Sequence, residues 1–184
     1  LSLRRQRQMC IRDSIITAPG VNGHTAERDQ RLPYDPELSK KLLAEAGYPD
    51  GFELTLDCPN DRYINDEAIC VAAIGMFAKI GVTVNLDAKT KSQHFSEVKE
   101  GDANGMTSDM YMLGWGVPTF DSHYVYSYLF DSAGSWNKVN FSNARVDELV
   151  AAMGVETDLD KRNAMIAEAW DITQDDVTYL PLHH

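Results

Sequence analysis

The chain has 184 residues, with 17 Lys and Arg against 28 Asp and Glu, 43 % apolar and 24 % charged residues, and three cysteines. That size and mix suit one cored globular domain and exclude a disordered chain. A formal charge of −11 argues against nucleic acid or an anionic membrane as partner, because such surfaces are bound through clustered Lys and Arg. No run reaches the ~18 to 20 apolar residues that cross a bilayer.

Residues 1–14, LSLRRQRQMCIRDS, hold four Arg and one Asp and show neither a helical nor a strand period. They lack the apolar core of ~7 to 15 residues that a secretory signal carries after its basic start, and they read as a foreign basic leader. Without them, 13 basic residues face 27 acidic ones, a formal charge of −14. Cys58 and Cys70 then remain, at a spacing that fits neither a CxxC redox pair nor a zinc knuckle. Two small buried thiols are the favoured reading, and a single disulfide is the alternative.

Residues 15–34, rich in Gly, Pro and Asn, read as an extended loop segment before an α/β region over 35–184. Asp35-Pro36 predicts a capped helix start, and Gly47 a left-handed stop for a helix over 36–46. Phe52, Leu54 and Leu56 alternate with polar residues as a strand with one buried face. A long helix follows over 61–80. Its second half is apolar on nearly every side, which predicts burial between two layers. Gly81 ends it, and Val82, Val84 and Leu86 mark a second strand.

Residues 92–100 predict a short helix and 101–105 a turn. DMYMLGW, 109–115, predicts a third strand too apolar for an exposed edge. Gly116 to Thr119 must be loop. A helix over 121–130, a polar loop over 134–140 and a helix from Ser142 or Asn143 come next, the last with Val146, Leu149, Val150 and Met153 on one face. Thr157 to Asp160 fits a capping box opening a further helix, and 177–182 predicts the start of a strand.

Tyr34-Asp35-Pro36 with Leu42 to Phe52 (LLAEAGYPDGF) resembles a block of the extracytoplasmic solute-binding proteins of the dipeptide, oligopeptide and nickel family, which feed ABC importers. KIGVTV at 79–84, LGWG at 113–116, NFSNARVDEL at 140–149, Thr157-Asp158 with Lys161-Arg162, and YLPLH at 179–183 resemble later blocks of that family, in order. The resemblance covers about residues 30–184. It implies the carboxy-terminal lobe of a two-lobed periplasmic-binding-protein-like (type II) α/β fold, incomplete, from a chain shortened at both ends. It further implies a monomeric, periplasmic or extracytoplasmic protein that captures a peptide or other small organic solute between its lobes and delivers it to permease subunits in the membrane.

Loops at the carboxyl ends of strands are where open α/β sheets present ligand-contacting groups. Trp115, Gly116, Val117 and Pro118 are therefore candidate ligand residues, joined by Asp121, His123 and Asn140. An indole beside a bare glycine backbone suits a peptide-like or organic solute. In peptide-binding relatives an aspartate two residues after the glycine of this block pairs with the peptide's α-ammonium. Pro118 stands at that position here, with Asp121 three residues on as the alternative, so the resemblance does not by itself imply a peptide with a free amino terminus. Asp121 also reads as a helix cap, His123 as a rim residue, and Asn143 as a cap rather than a ligand. No metal or cofactor is called for. No nucleophile elbow, zinc-protease helix, phosphate loop or dinucleotide fingerprint is present. The alternative is a carboxylate- or metal-dependent hydrolase using Asp109, Asp121 and His123.

Overall fold

The structure, a computed structural model, describes residues 15–30, 33–100 and 108–184. The leader over 1–14 and the turn over 101–105 lie outside the described residues. Two compact units are present, one spanning Pro33–Gly114, the other joining the amino-terminal segment to Trp115–His184.

In the first unit, helix α1 (Pro36–Glu45) begins as predicted, with the Asp35 side chain accepting the Leu38 N–H at 2.9 Å and proline in the first turn. Gly47 follows at φ +95°. Strands β1 (Glu53–Pro59) and β2 (Thr83–Lys89) pair in parallel, from Glu53 opposite Thr83 to Pro59 opposite Lys89. Their close start depends on Gly51, where a Cβ would lie 1.9 Å from the Gly81 carbonyl oxygen. The core of this unit is Leu56, Cys58, Cys70, Val82 and Val84. β1 is the central strand, and Asp57, on its other face, is as buried as Cys58, so the single buried face expected from its alternation becomes two.

Helix α2 (Asp66–Phe77, extended by a 3-10 turn Ala78–Ile80) departs from its expectation twice. It starts five residues late, because the buried Asp66 carboxylate accepts the N–H groups of Arg62, Tyr63 and Glu67 and Asn65 turns left-handed at φ +60°. Burial pushes the Asp66 carboxyl up, but those backbone donors outweigh it and hold it below the usual range. Nor is α2 sandwiched. Cys70 faces the sheet while Val71 and Met76 remain exposed, since an all-apolar helix has no period to say which face meets the sheet.

Cys58 and Cys70 form a disulfide with Cα atoms 6.7 Å apart, tying β1 to α2 and overturning the expectation of two free thiols. The strand–turn–helix fold brings together two residues whose spacing alone marks no pair. Helix α3 (Lys91–Glu100) forms as predicted. Strand β3 shrinks to Met110–Tyr111, paired in parallel with β1, and is an edge strand among those described, contrary to expectation. At its start the Asp109 carboxylate takes the Thr55 N–H at 2.7 Å, and at its end Gly114 donates to the Tyr63 hydroxyl at 2.8 Å. These side-chain bonds replace ladder bonds.

The second unit is helical. Residues 15–30 form bends and turns: Ile15, Thr17 and Val21 are buried, and Asn22 exchanges backbone bonds with Phe120 and Ser122. Helix α4 (His123–Val125) continues into a π-helical turn, Tyr126–Phe130. Helix α5 (Ala144–Met153) is capped by the Asn143 side chain, and all four residues of its predicted face are buried. Helix α6 (Leu159–Asp176) is capped by Asp158, not Thr157, because the Asp158 carboxylate reaches the N–H groups of Asp160 and Lys161. Trp170 on α6 packs on Tyr126 at 4.9 Å between ring centroids. Residues 177–182 form no strand; Val177 turns left-handed at φ +56° and no described strand pairs with them. Among the described residues no helix is long and apolar enough to cross a membrane.

Candidate functional site

The segment between β3 and α4 carries most of the candidate residues. Trp115 is half-buried and packs against Tyr124, Tyr128 and Trp136, with ring centroids 5.8 to 5.9 Å away. Its indole N–H is withdrawn from solvent without an acceptor among the described residues. Gly116 is exposed, and a Cβ there would meet nothing within 4 Å. Val117 is half-buried and Pro118 exposed. The Val117 carbonyl accepts the Phe120 N–H at 3.0 Å, closing a turn that leaves Phe120 exposed and left-handed at φ +52°.

Asp121 is fully engaged. Both its oxygens meet the Arg162 guanidinium, at 2.5 and 2.8 Å, while Asn22 and the His123 N–H donate to it at 3.0 and 2.9 Å. Burial alone would push this carboxyl up; the charge-assisted bonds outweigh it and hold it down at about 2. Arg162 is raised from its usual value by the same pairing. His123 points its Nε2 at the Val150 carbonyl oxygen, 3.1 Å away, so that nitrogen bears a hydrogen. Asp121, His123, Thr119, Tyr124, Tyr128 and Arg162 line a cavity of about 280 Å³ within this unit.

The structure thus brings Asp121 and His123 to one cavity, with Trp115 stacked on two aromatic residues that line it. Asn140 is exposed, at φ +54°, and is not among its lining residues. Asn137 serves its own turn, bonding Asp131 and Phe141, and Asn143 caps α5. Arg162, Tyr128 and Trp136 escaped the sequence reading. For Tyr128 the spacing of four from Tyr124 on a helix is the local signal, with rings 4.6 Å apart.

Each residue of the hydrolase alternative is engaged in its own unit. Asp109 belongs to the sheet unit and bonds the Thr55 backbone, Asp121 is locked to Arg162, and His123 is held by Val150. Among the described residues no three His, Cys, Asp or Glu side chains converge on a point where a metal ion could sit.

The sequence profile described as "Bacterial extracellular solute-binding proteins, family 5 Middle" matches residues 11–137. The glutathione-binding protein GsiB of Salmonella typhimurium is 30 % identical over 161 residues, covering 85 % of this chain and 31 % of that protein. Heme-binding protein A of Haemophilus influenzae is 33 % identical over 161 residues, covering 84 % of this chain and 28 % of its own length. Among solved structures, a dipeptide-binding protein from Pseudoalteromonas sp. SM9913 in complex with Met-Leu superposes with a TM-score of 0.79 at 24 % identity, covering 97 % of this chain and 35 % of that one. The chain spans about a third of the length of these relatives, and its α/β fold is that of part of a periplasmic binding protein. With a matched profile over most of its length, the chain belongs to the family 5 bacterial extracellular solute-binding proteins.

Proposed function

We propose that this chain is the carboxy-terminal-lobe portion of a two-lobed solute-binding component of an ABC importer. It captures a peptide or other small organic solute and hands it to permease subunits in the membrane. Closure of two lobes on the solute is the mechanism: an open and a closed state interconvert, and a solute touching both lobes favours the closed one. The observation that carries the reading is the Trp115 loop, which joins an indole donor without an acceptor among the described residues to a glycine whose Cβ would meet none of them within 4 Å. Trp115, Gly116, Val117 and Pro118 contact the solute, and Asn140 contributes an amide. Asp121 and His123 shape the wall, their polar atoms being engaged by Arg162 and Val150.

With Pro118 where an ammonium-binding aspartate would stand and Asp121 neutralised, the loop suits a solute recognised through apolar area and hydrogen-bond acceptors rather than through an ammonium group. The named relatives bind glutathione and heme, and the solved one holds Met-Leu. The protein works as a monomer outside the cytoplasm. The Cys58–Cys70 disulfide supports that location, because such bonds persist in oxidising compartments. Calorimetric titration of the full-length protein with glutathione and Met-Leu tests the reading. Trp115→Ala is expected to weaken binding at least ten-fold while leaving the melting temperature nearly unchanged; a variant that melts early yet binds normally would make Trp115 a core residue only.

A further inference from the structure

Phe120 stands at the end of the candidate loop with 70 % of its surface exposed and its backbone left-handed at φ +52°. That conformation disfavours a bulky side chain, whereas glycine would adopt it freely. An exposed phenyl ring adds little to the core of the helical unit, yet the unit holds this residue firmly. Its N–H donates to the Val117 carbonyl at 3.0 Å, so Phe120 closes the turn that carries Val117 and Pro118. Its own carbonyl accepts the Asn22 N–H at 2.9 Å.

Asn22 ties down the next two residues as well. It forms an isolated parallel bridge with Asp121, and its carbonyl accepts both the Ser122 N–H, at 3.0 Å, and the Ser122 hydroxyl. Its side-chain amide donates to Asp121 and to Asn163 on α6, each at 3.0 Å. Arg162, the preceding residue of α6, binds both oxygens of Asp121. Gly23 permits the close approach, since a Cβ there would lie 2.3 Å from Ser122 Oγ and 2.6 Å from Ile166 Cγ2. Residues 120–122 are thus strapped to residue 22 and to α6, all within the helical unit. A strained backbone persists only where its surroundings over-determine it, and such strain concentrates where ligands are contacted.

We propose that Phe120 is a further solute-contacting residue, whose ring offers its face to an apolar side group of the solute, and that Asn22 is the positioning residue that holds the ring beside the Trp115–Pro118 loop. Asn22 does not touch solute. The proposal rests on the reading of that loop as solute-contacting.

Calorimetric titration of the full-length protein with Met-Leu, whose side chains are both apolar, and with glutathione tests it, together with the melting temperature of each variant. Phe120→Gly is expected to melt close to wild type, because glycine takes the left-handed turn without strain, and to bind Met-Leu at least about five-fold more weakly. Phe120→Asn, which also tolerates that turn, repeats the measurement should the glycine variant melt early. Phe120→Tyr keeps the ring and is expected to bind within about two-fold of wild type. Asn22→Ala is expected to weaken Met-Leu binding in the wild type but to add nothing in the Phe120→Gly background, where the ring it positions is gone. Met-Leu binding unchanged in Phe120→Gly would overturn the contact and leave the Trp115 loop reading in place. Equal losses from Asn22→Ala in both backgrounds would make Asn22 a general brace. Binding of glutathione but not Met-Leu by the wild type would overturn the apolar contact alone, and binding of neither would overturn it together with the solute reading of the loop.

Discussion

Asp121, a candidate solute residue, fastens the helical unit. A carboxylate just after a glycine-bearing loop is a natural candidate for solute contact, yet it binds Arg162 with both oxygens and caps the start of α4. Its carboxyl is held at about 2, against an ordinary value of 3.8. A depressed carboxyl stabilises the fold above its unfolded value and loses that contribution as pH falls, here between about pH 4 and pH 2. The full shift corresponds to about 2 kcal/mol, and solvent screening of a pair whose side chains are 17 % and 20 % exposed reduces it to about 1 kcal/mol. Urea denaturation of Asp121→Asn should show that loss at pH 7 and almost none at pH 2; an equal loss at both would assign the effect to packing. Arg162→Ala should cost more at pH 7, because it also frees the Met153 carbonyl that its Nε bonds.

Elements whose start carries a capping side chain were legible in the sequence, as α1 and α5 demonstrate. Asp35 and Asn143 cap them, and Val146, Leu149, Val150 and Met153 all turn inward. Leu149→Ala in α5 is expected to cost about 3 kcal/mol in chemical denaturation, as large-to-small changes in packed cores do. What sequence periodicity could not carry is partnership. The apolar run of α2 has no preferred face, β3 is cut short by Asp109 and Tyr63 side chains, and residues 177–182 find no described strand to pair with. The candidate loop was legible because glycine and proline beside a tryptophan mark a turn after a strand. Arg162 was not, since it reaches Asp121 across 41 positions of sequence. The Cys58–Cys70 bond was equally hidden. It closes a separation of 12 residues between β1 and α2, and chain-entropy reasoning gives it about 3 kcal/mol. Denaturation with and without reductant should recover a difference of that order; no difference would mean that the sulfurs are not bonded in solution.

At the scale of the whole molecule, two units carry different duties. The sheet unit holds the buried polar side chains Asp57 and His94 and a disulfide beside Met112, whereas the helical unit packs aromatic rings around Tyr126, Phe130 and Trp170. The charge of −11 argues against a nucleic-acid partner but by itself selects no solute. Binding by lobe closure adds stability in proportion to the logarithm of solute concentration over its Kd, about 2.7 kcal/mol at one hundred times Kd. The full-length protein should therefore melt several degrees higher with its solute, while this chain, spanning about a third of its relatives' length, should shift little. The most direct measurement is thermal unfolding of the full-length protein against glutathione, dipeptides, opines, glycosides and metal chelates. A saturable, concentration-dependent rise with at least one of them, lost in Trp115→Ala, is the expected result. An unchanged melting temperature across the whole set would contradict solute capture as this protein's function.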